Sequence, residues 1–211
     1  MYQVPHFRET ELPVLHDHIR AHPLGLLISP GPEGVIANAI PFLLYAEGER
    51  GTLRAHLSRG NPQWQALRDT PAALVVFQGV DRYITPNWYP QKTIDQKVVP
   101  TWNYAIVQAR GTARIIEDAD WLRTHVSALT DTHEGRQPQP WSLADAPERF
   151  VAGQLKGIVG LEIPIAAIEG KFKASQNRPV ADRAGVAEGL TAAGEAEALA
   201  MAALVRARGG V

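Results

Sequence analysis

Short apolar runs separated by proline- and glycine-rich turns are the feature that most constrains the fold of this chain. Residues 24–29 form one such run, and it ends at the turn 30–34, PGPEG. The same pattern predicts strands at residues 24–29, 35–45, 52–58, 72–78, 82–85, 105–116, 158–163 and 168–172. Helical spacing predicts helices at residues 6–22, 63–68, 118–132 and 148–155. Because strands outnumber helices, the sequence predicts a mainly β fold with peripheral helices, an antiparallel barrel and not a doubly wound parallel sheet.

The length and composition predict one main folded domain with a short appendage. The chain has 211 residues, of which 45% are hydrophobic and 20% are charged, so it can bury a full core. Alanine and glycine dominate after residue 180, and residues 195–208 predict an isolated helix of weak hydrophobicity. We therefore expect a barrel domain at residues 1–190 and an alanine-rich C-terminal helix or tail at residues 191–211.

Several classes of function have no support in the sequence. There are no cysteines, and the seven histidines are not spaced as metal ligands, so we expect no metal site. No glycine-rich phosphate loop and no Gly-x-Ser-x-Gly elbow is present, and no catalytic residue can be identified. No segment resembles a signal peptide or a membrane span, so a cytoplasmic location is expected. The formal net charge of −1 gives no general attraction to nucleic acid.

One polar cluster follows the strand predicted at residues 52–58. Arg54 and His56 share a face of that strand, and Arg59 leads into Asn61, which is placed to begin a helix. A guanidinium and an imidazole beside free helix N–H groups are a plausible cradle for a phosphate. The alternative is an edge strand whose polar face meets water, and the spacing alone does not choose between the two.

Two more polar clusters stand at strand ends. Trp102, Asn103 and Tyr104 precede one apolar strand, and residues 171–179, KFKASQNRP, follow another. The first cluster offers flat rings and an amide, and the second offers cations and amides for an anionic ligand. The alternatives are aromatic side chains that belong to the core and a solvated loop that caps the next helix. The convergence of three such clusters at strand ends favours a ligand site.

Four motifs resemble one known family. The stretches SRGNPQW, YITPNWYPQK, KVVPTWNYAIVQARG and KASQNRPVADRAGV are similar to those of the PaiB family, described as FMN-binding negative transcriptional regulators. The similarity extends over about residues 1–190. It implies a split antiparallel β-barrel similar to those of the pyridoxamine-phosphate oxidases, with FMN as cofactor. It also implies a homodimer with FMN in clefts at the subunit interface.

The resemblance gives the clusters a specific interpretation. The FMN phosphate would lie near His56, Arg59 and Asn61, and the isoalloxazine ring would lie near the other two clusters. The expected FMN-binding residues are Asn38, His56, Arg59, Asn61, Trp102, Asn103, Tyr104, Lys173, Ser175 and Gln176. Aromatic side chains such as Trp88 and Tyr89 near these strand ends would form an exposed patch, which is typical of an interface between subunits.

The function remains open among three alternatives at this point. The resemblance implies an FMN-binding homodimer that acts as a transcriptional repressor, with DNA as a partner by resemblance alone. No basic recognition helix is visible, and Arg206 and Arg208 are the cations of the C-terminal segment. The second alternative is a flavin reductase or another small FMN-dependent oxidoreductase. The third is a barrel that binds a ligand without flavin.

Overall fold

Nine β-strands and seven α-helices form the chain in the computed structural model, which describes residues 1–211. The strands are β1 (Arg8–Glu9), β2 (Leu24–Gly31), β3 (Gly34–Pro41), β4 (Leu43–Tyr45), β5 (Thr52–Ser58), β6 (Ala72–Ile84), β7 (Thr101–Thr112), β8 (Arg114–Ile116) and β9 (Ile158–Lys173). The helices are α1 (Leu12–Ala21), α2 (Gln63–Asp69), α3 (Gln91–Ile94), α4 (Ala119–Glu134), α5 (Glu148–Leu155), α6 (Val180–Ala193) and α7 (Ala196–Gly209). None of these helices is long and apolar enough to cross a membrane.

The strands pair in an antiparallel manner. Their order is β3-β2-β6-β7-β9-β5-β4, and β1 and β8 also pair with β9. The pairs β1–β9, β2–β3, β2–β6, β4–β5, β5–β9 and β8–β9 are all antiparallel. The fold is therefore a mainly antiparallel split β-barrel with helices, as the sequence predicts.

The chain divides into two compact units, which are described separately. Unit 1 contains residues 1–21, 78–107 and 169–211, and unit 2 contains residues 22–77 and 108–168. The long strands β6, β7 and β9 contribute residues to both units. The predicted site residues therefore fall into two groups, one on each unit.

Unit 2 contains the β2–β3 hairpin, strands β4, β5 and β8, and parts of the long strands. Leu27, Leu53 and Val75 are fully buried in it. The β2–β3 turn needs a glycine at Gly34, because its φ of +128° is a conformation that other residues rarely adopt. Helices α4 and α5 bury a separate apolar cluster, formed by Leu122, Leu143, Val151 and Leu155.

Unit 1 buries its own apolar core between α6, α7 and the residues around Tyr89. The fully or almost fully buried side chains are Ile84, Tyr89, Ala174, Val186, Ala187, Leu190, Ala198, Met201, Ala202 and Val205. Helix α7 is fixed further by Arg208, which forms an ion pair of 2.5 Å with the buried Glu9 and lies over the ring of Phe172. The helix predicted at residues 195–208 is thus present, but it is packed and not isolated. The expected boundary at residue 190 falls inside α6, and it stays a prediction.

The strand lengths differ from the sequence-based expectation. The runs 72–78 and 82–85 form the single strand β6, and the runs 158–163 and 168–172 form β9. The sequence predicts separate strands at these points, but the chain stays extended through residues 79–81 and 164–167. The opposite happens at Phe42 and Ala113, which separate β3 from β4 and β7 from β8. Their N–H groups donate to the carbonyls of Pro23 and Pro71. The long strands predicted at 35–45 and 105–116 are therefore each divided.

Candidate functional site

A buried amide marks the first part of the site, in unit 1. The Asn103 side chain on β7 is fully buried, and its Nδ2 donates to Ser175 Oγ at 2.9 Å. Its carbonyl oxygen Oδ1 is buried without a hydrogen-bond partner. An unpaired buried acceptor is costly, so its persistence suggests that a donor from a ligand completes it.

Ser175 holds an unusual backbone conformation at the same place. It is buried and has a φ of +64°, which a non-glycine residue adopts only at a cost. Its hydroxyl accepts a hydrogen bond from the Asn103 amide, and the residue lies in the segment that connects β9 to α6. Backbone strain supported by a buried hydrogen bond is a feature of functional sites.

Aromatic rings cover the opposite face of β7. Trp102 is 53% exposed, and its ring meets that of Tyr83 edge to face at 6.3 Å between centroids. Tyr104 lies on the same face, with the Lys171 ammonium 5.5 Å from its ring centroid. A cavity of about 270 Å³ opens here, and it is lined by Gln78, Asp81, Trp102, Tyr104, Ala105 and Ile106. Exposed flat rings of this kind can stack on a planar ligand.

Lys173 stands at the end of β9 beside these groups. Its ammonium donates to Thr101 Oγ1 and, at 2.6 Å, to the carbonyl oxygen of Trp102. Burial lowers the pKa of Lys173, and repulsion by the charges of Lys171 and Arg178 lowers it further. An ammonium has three N–H donors, so one remains for a ligand.

The side-chain amide of Gln176 forms its hydrogen bonds within the chain. Its Nε2 donates to the Phe172 carbonyl at 2.5 Å, and its Oε1 accepts the Ala174 N–H at 2.7 Å. These two hydrogen bonds hold the backbone turn that follows β9. Gln176 remains a predicted ligand residue, but the contacts that it makes stabilise the turn.

Further cations accompany Lys173 in unit 1. Arg8 on β1 is the cross-strand partner of Lys171 on β9, so two like charges face each other. Lys171 donates to the Tyr2 carbonyl at 3.3 Å, and the Arg178 guanidinium lies 4.9 Å from the ring centroid of Tyr89. None of Arg8, Lys171, Lys173 and Arg178 forms an ion pair. We call these four residues the cationic cluster.

Arg8 was missed by sequence reasoning for a physical reason. The sequence places it in a predicted helix, far from Lys171 along the chain, whereas the structure places it on β1. Only strand pairing brings the two residues together. No local signal in the sequence predicts such a pairing.

In unit 2, the arginines of the polar cluster predicted around β5 are paired with other side chains of the protein. Arg54 donates to Glu162 and to Glu47, both at 2.8 Å, and stacks on Tyr45 at 4.3 Å. Arg59 pairs with Glu117 at 2.6 Å and donates to the Lys156 carbonyl at 3.0 Å. An anion at either guanidinium would have to displace a carboxylate.

Glu117 binds two arginines at once. Arg68 is its second partner, and hydrogen bonds from Arg59 and Arg68 hold the pKa of Glu117 below its usual range. The carboxylate is therefore ionised at neutral pH. The charge of Arg59 is largely compensated inside the protein.

His56 lies in a buried pair of histidines. Its Nδ1 is 3.3 Å from Nε2 of His125, and the His125 ring stacks on Trp121 at 5.2 Å between centroids. Burial, with the charges of His56 and Arg54, lowers the pKa of His125 to about 4. Burial also lowers the pKa of His56. Both imidazoles are therefore neutral at pH 7.

Asn61 and Asn38 take part in a buried amide network. Asn61 Oδ1 accepts the Gln63 N–H at 3.0 Å at the start of α2, as the sequence predicts for a capping residue. Asn38 Nδ2 donates at 2.9 Å to the side chain of Gln63, which also donates to Leu27 O and Ser29 Oγ. These contacts stabilise unit 2, and a flavin contact by Asn38 or Asn61 stays a prediction.

The donors and rings of unit 1 match the chemistry of FMN. The rings of Trp102 and Tyr104 suit the faces of an isoalloxazine. Cations without carboxylate partners suit a phosphate. The residues present therefore fit the cofactor that the sequence motifs imply.

Comparisons with known proteins agree with this fit. Residues 1–167 match the family described as "Putative FMN-binding domain". An uncharacterized protein of Emericella nidulans is 35% identical over 237 residues, which cover 95% of this chain and 94% of the relative. The Bacillus subtilis protein named protease synthase and sporulation protein PAI 2 is 28% identical, with 90% of this chain and 89% of that protein covered. The solved structure of the FAD and heme binding protein from Mycobacterium smegmatis has a TM-score of 0.59 at 20% identity, and covers 79% of this chain and 73% of that chain.

These findings agree on the fold and the family. The similarity to the Mycobacterium smegmatis structure confirms the predicted split-barrel fold. The family match extends over most of the barrel, and the similarity to the Bacillus subtilis protein agrees with the PaiB-like motifs. The chain therefore belongs to the FMN-binding domain family, and the predictions of this family and of its cofactor are confirmed.

Proposed function

We propose that this protein is an FMN-binding homodimer in which the isoalloxazine ring is held by unit 1. The observation that carries the proposal is the exposed aromatic face of β7, where Trp102 and Tyr104 line a cavity of about 270 Å³. Trp102 and Tyr104 would pack on the ring. The Asn103 amide, on the opposite face of β7, is hydrogen-bonded to Ser175 and would hold in place the strand that carries both rings. When bound, FMN supplies one- and two-electron redox chemistry.

A flavin titration tests the ring site. The flavin fluorescence of riboflavin should be quenched on binding, and Trp102→Ala should weaken binding about tenfold because the stacking on the ring is lost. Trp141→Ala, which removes a comparably exposed tryptophan outside the site, is the matched control. Binding of riboflavin to Trp102→Ala with wild-type affinity would contradict the ring assignment.

The dimer proposal is supported by an apolar sheet face on unit 2. Leu26 of β2 pairs with Ala39 of β3 and Val76 of β6, and Ile28 forms the next row with Ala37 and Leu74. The face comprises exposed or half-buried residues of three strands: Leu24, Leu26, Ile28, Val35, Ala37, Ala39, Leu74 and Val76. Contiguous exposed apolar surface is typical of a protein interface. Tyr89, expected on the exposed patch, is instead in the core of unit 1.

Sedimentation tests the dimer directly. The wild-type protein should sediment at twice 23.0 kDa, and Leu26→Lys should shift it toward the monomer. Leu199→Lys changes a comparably exposed leucine on α7 and should leave the dimer intact. A monomeric wild-type protein at all micromolar concentrations would contradict the proposal.

The proposed biological role is negative regulation of transcription, which rests on the PaiB-like motifs. DNA contact by the C-terminal arginines has little support, since Arg208 is paired with Glu9 and Arg206 donates to Thr191. Direct repression predicts a sequence-specific shift of a promoter fragment that weakens steeply with salt. Absence of a shift at low salt would exclude direct repression by this protein. A cytoplasmic location is proposed with this role, and cell fractionation tests it.

The second candidate function is a flavin reductase. It is favoured by the same engagement of Arg206 and Arg208 in intramolecular contacts, and by the exposure of Trp102 at the proposed ring site. An open ring site would admit a second substrate beside the flavin. Oxidation of NADH or NADPH that depends on added FMN would support this function, and no oxidation above the rate of free FMN would exclude it.

A further inference from the structure

The sheet of unit 1 has one face that combines exposed aromatic rings with cations. Strand β6 neighbours β7, β7 neighbours β9, and β1 also pairs with β9. Trp102 on β7 is 53% exposed and Tyr83 on β6 is 47% exposed, and their rings meet edge to face. Flat rings that stay in water offer a stacking surface to a planar group.

The contacts of Lys171 place the cations on the same face as these rings. Trp102 and Tyr104 are two residues apart and therefore share the exposed face of β7. The Lys171 ammonium lies 5.5 Å from the ring centroid of Tyr104 and 5.3 Å from that of Tyr2. Arg8 is the cross-strand partner of Lys171, so both side chains point to this side of the sheet.

The two lysines of this face are held in place and keep donors for an anion. Lys171 donates to the Tyr2 carbonyl at 3.3 Å. Lys173, two residues further along β9, donates to Thr101 Oγ1 and to the Trp102 carbonyl. An ammonium has three donors, so each lysine keeps at least one. Because the ammonium groups are already positioned, less entropy is lost when they bind a ligand.

The carboxylates near the face leave its β9 and β1 side positive. Asp81 lines the cavity at the rings, on the β6 side, and accepts a hydrogen bond from Gln78 at 3.0 Å. Glu9 and Glu169, the acidic residues of β1 and of the unit 1 part of β9, are paired with Arg208 and with the amino terminus. The face is therefore locally cationic, although the formal net charge of the chain is −1.

Rings for stacking and cations for phosphate are together the chemistry that binds single-stranded nucleic acid. The bases of a single strand are unpaired, so their faces can stack on aromatic side chains while the phosphates contact lysine and arginine. A four-stranded sheet that presents rings in this way accommodates two or three bases. A duplex keeps its bases stacked on each other and offers no base face to Trp102 or Tyr83.

We propose that this face of unit 1 binds single-stranded nucleic acid without regard to base sequence. The bases would stack on Tyr83, Trp102 and Tyr104, and the phosphates would contact Arg8, Lys171 and Lys173. Stacking and phosphate contacts are tolerant of sequence, so this binding differs from repression at a promoter, which requires a specific duplex. The proposal goes beyond the flavin function and requires no bound flavin. Since Trp102 and Tyr104 also form the proposed ring site, FMN and the strand should compete.

Fluorescence anisotropy of a labelled oligothymidylate of about ten nucleotides, with protein stripped of flavin, tests the proposal. The logarithm of the affinity should fall against the logarithm of the salt concentration with a slope of about −2, since each of three phosphate contacts contributes about −0.7. Lys171→Gln should weaken binding about tenfold and make the slope shallower by about 0.7. Arg206→Gln is the matched control, because this exposed arginine contacts Thr191 outside the face, and it should change neither quantity.

Substitutions of Trp102 test the stacking. Trp102→Ala should weaken binding about tenfold or more because the ring is lost, whereas Trp102→Phe keeps a ring and should cost less than about threefold. Trp141→Ala, which removes a comparably exposed tryptophan of unit 2, should have no effect. Equal losses for Trp102→Ala and Trp102→Phe would overturn the assignment of the bases to these rings.

Competitors identify the nucleic acid that the face binds. The same strand annealed to its complement should compete about tenfold less well than the single strand, and equal or better competition by the duplex would overturn the proposal. Oligouridylate should bind within about fivefold of oligothymidylate, because the contacts are to bases and phosphates. A larger preference would show that the sugar is read and would overturn this set of contacts.

Flavin titrations separate this proposal from the proposed function. If the protein binds FMN but no oligonucleotide at low salt, the nucleic-acid proposal is overturned and the flavin function stands. If it binds the oligonucleotide but neither FMN nor riboflavin, the nucleic-acid proposal stands and the flavin function fails.

Discussion

The cationic cluster of unit 1 and the arginines around β5 in unit 2 have different surroundings. In unit 2, Arg54, Arg59 and Arg68 each contact a carboxylate at 2.5 to 2.8 Å. In unit 1, the cationic cluster has carbonyl, hydroxyl and aromatic contacts but no carboxylate. A paired arginine stabilises the fold and resists displacement, whereas an unpaired cation is available to a ligand. The comparison teaches that the partner of a charge, and not its presence, indicates whether it can bind an anion.

The largest expected effect is on the affinity for single-stranded nucleic acid. The triple variant Arg8→Gln/Lys171→Gln/Lys173→Gln removes three contacts to phosphate, so binding of the labelled oligothymidylate should weaken about a thousandfold. Fluorescence anisotropy measures this loss, and riboflavin titration of the same variant confirms that the ring site is intact. A loss of less than about threefold would contradict the view that the cations of unit 1, unlike the carboxylate-paired arginines of unit 2, are available to bind an anion.

The histidine pair of unit 2 predicts a pH dependence of stability. The pKa of His125 is about 4 in the folded chain and near its ordinary value when unfolded. The unfolded state therefore binds the proton more readily as pH falls below about 6.5, and stability decreases toward pH 4. The full loss from this one group is about 3 kcal/mol, measurable by urea unfolding across the pH range.

His125→Phe provides the control for this pH dependence. Phenylalanine can keep the stacking on Trp121 but does not titrate. The variant should lose most of the slope of stability against pH between 6.5 and 4. An unchanged slope would mean that other groups cause the loss and that His56 and His125 are not the buried neutral pair described above.

Removal of a paired arginine should act mainly on stability. Arg54→Gln leaves the largely buried Glu162 without its closest partner, so unfolding should become easier by about 1 to 3 kcal/mol. Arg114 also approaches Glu162, at 3.5 Å, but is mostly exposed, and Arg114→Gln should cost less than about 1 kcal/mol. Equal costs for the two variants in urea unfolding would contradict the view that Arg54 is the structural partner.

The smallest expected effect is on the stability of unit 1. Lys171→Gln breaks no ion pair and relieves repulsion by Arg8 and Lys173, so the unliganded protein should be unchanged or more stable by a few tenths of a kcal/mol. Thermal unfolding without flavin measures this. A clear destabilisation would show that Lys171 has a structural role like that of Arg54.

The sequence predicts the fold well because the fold depends on local patterns. Alternating apolar residues and the PGPEG turn identify the β2–β3 hairpin, and Asp118 caps α4 as expected. The predicted strand boundaries are wrong where the end of a strand depends on residues elsewhere in the chain, as at Phe42 and Ala113. The prediction that α7 is isolated is wrong for the same reason. Its weak hydrophobicity suggests an isolated helix, yet its alanines suffice to bury it closely against α6.

The candidate site could be predicted only in part. The grouping of Asn103, Ser175 and Lys173 was predictable because each belongs to a polar cluster at a strand end, and the structure brings Asn103 and Ser175 together. The pairing of Arg59 with Glu117 was not, since a guanidinium that binds a carboxylate has the same sequence signature as one that awaits a phosphate. The position of Arg8 beside Lys171 could not be predicted either, because it depends on the pairing of β1 with β9.

The ion pair between Glu9 and Arg208 has a consequence for synthesis on the ribosome. The two residues are 199 positions apart (208 − 9), so Glu9 waits on the order of 10 to 40 seconds for its partner to be translated. All segments of unit 2 precede α6 and α7 in the chain. All residues of unit 2 are therefore translated while unit 1 still lacks the seven of its ten buried core residues that α6 and α7 supply. Until then the nascent chain exposes the core residues that these helices later cover.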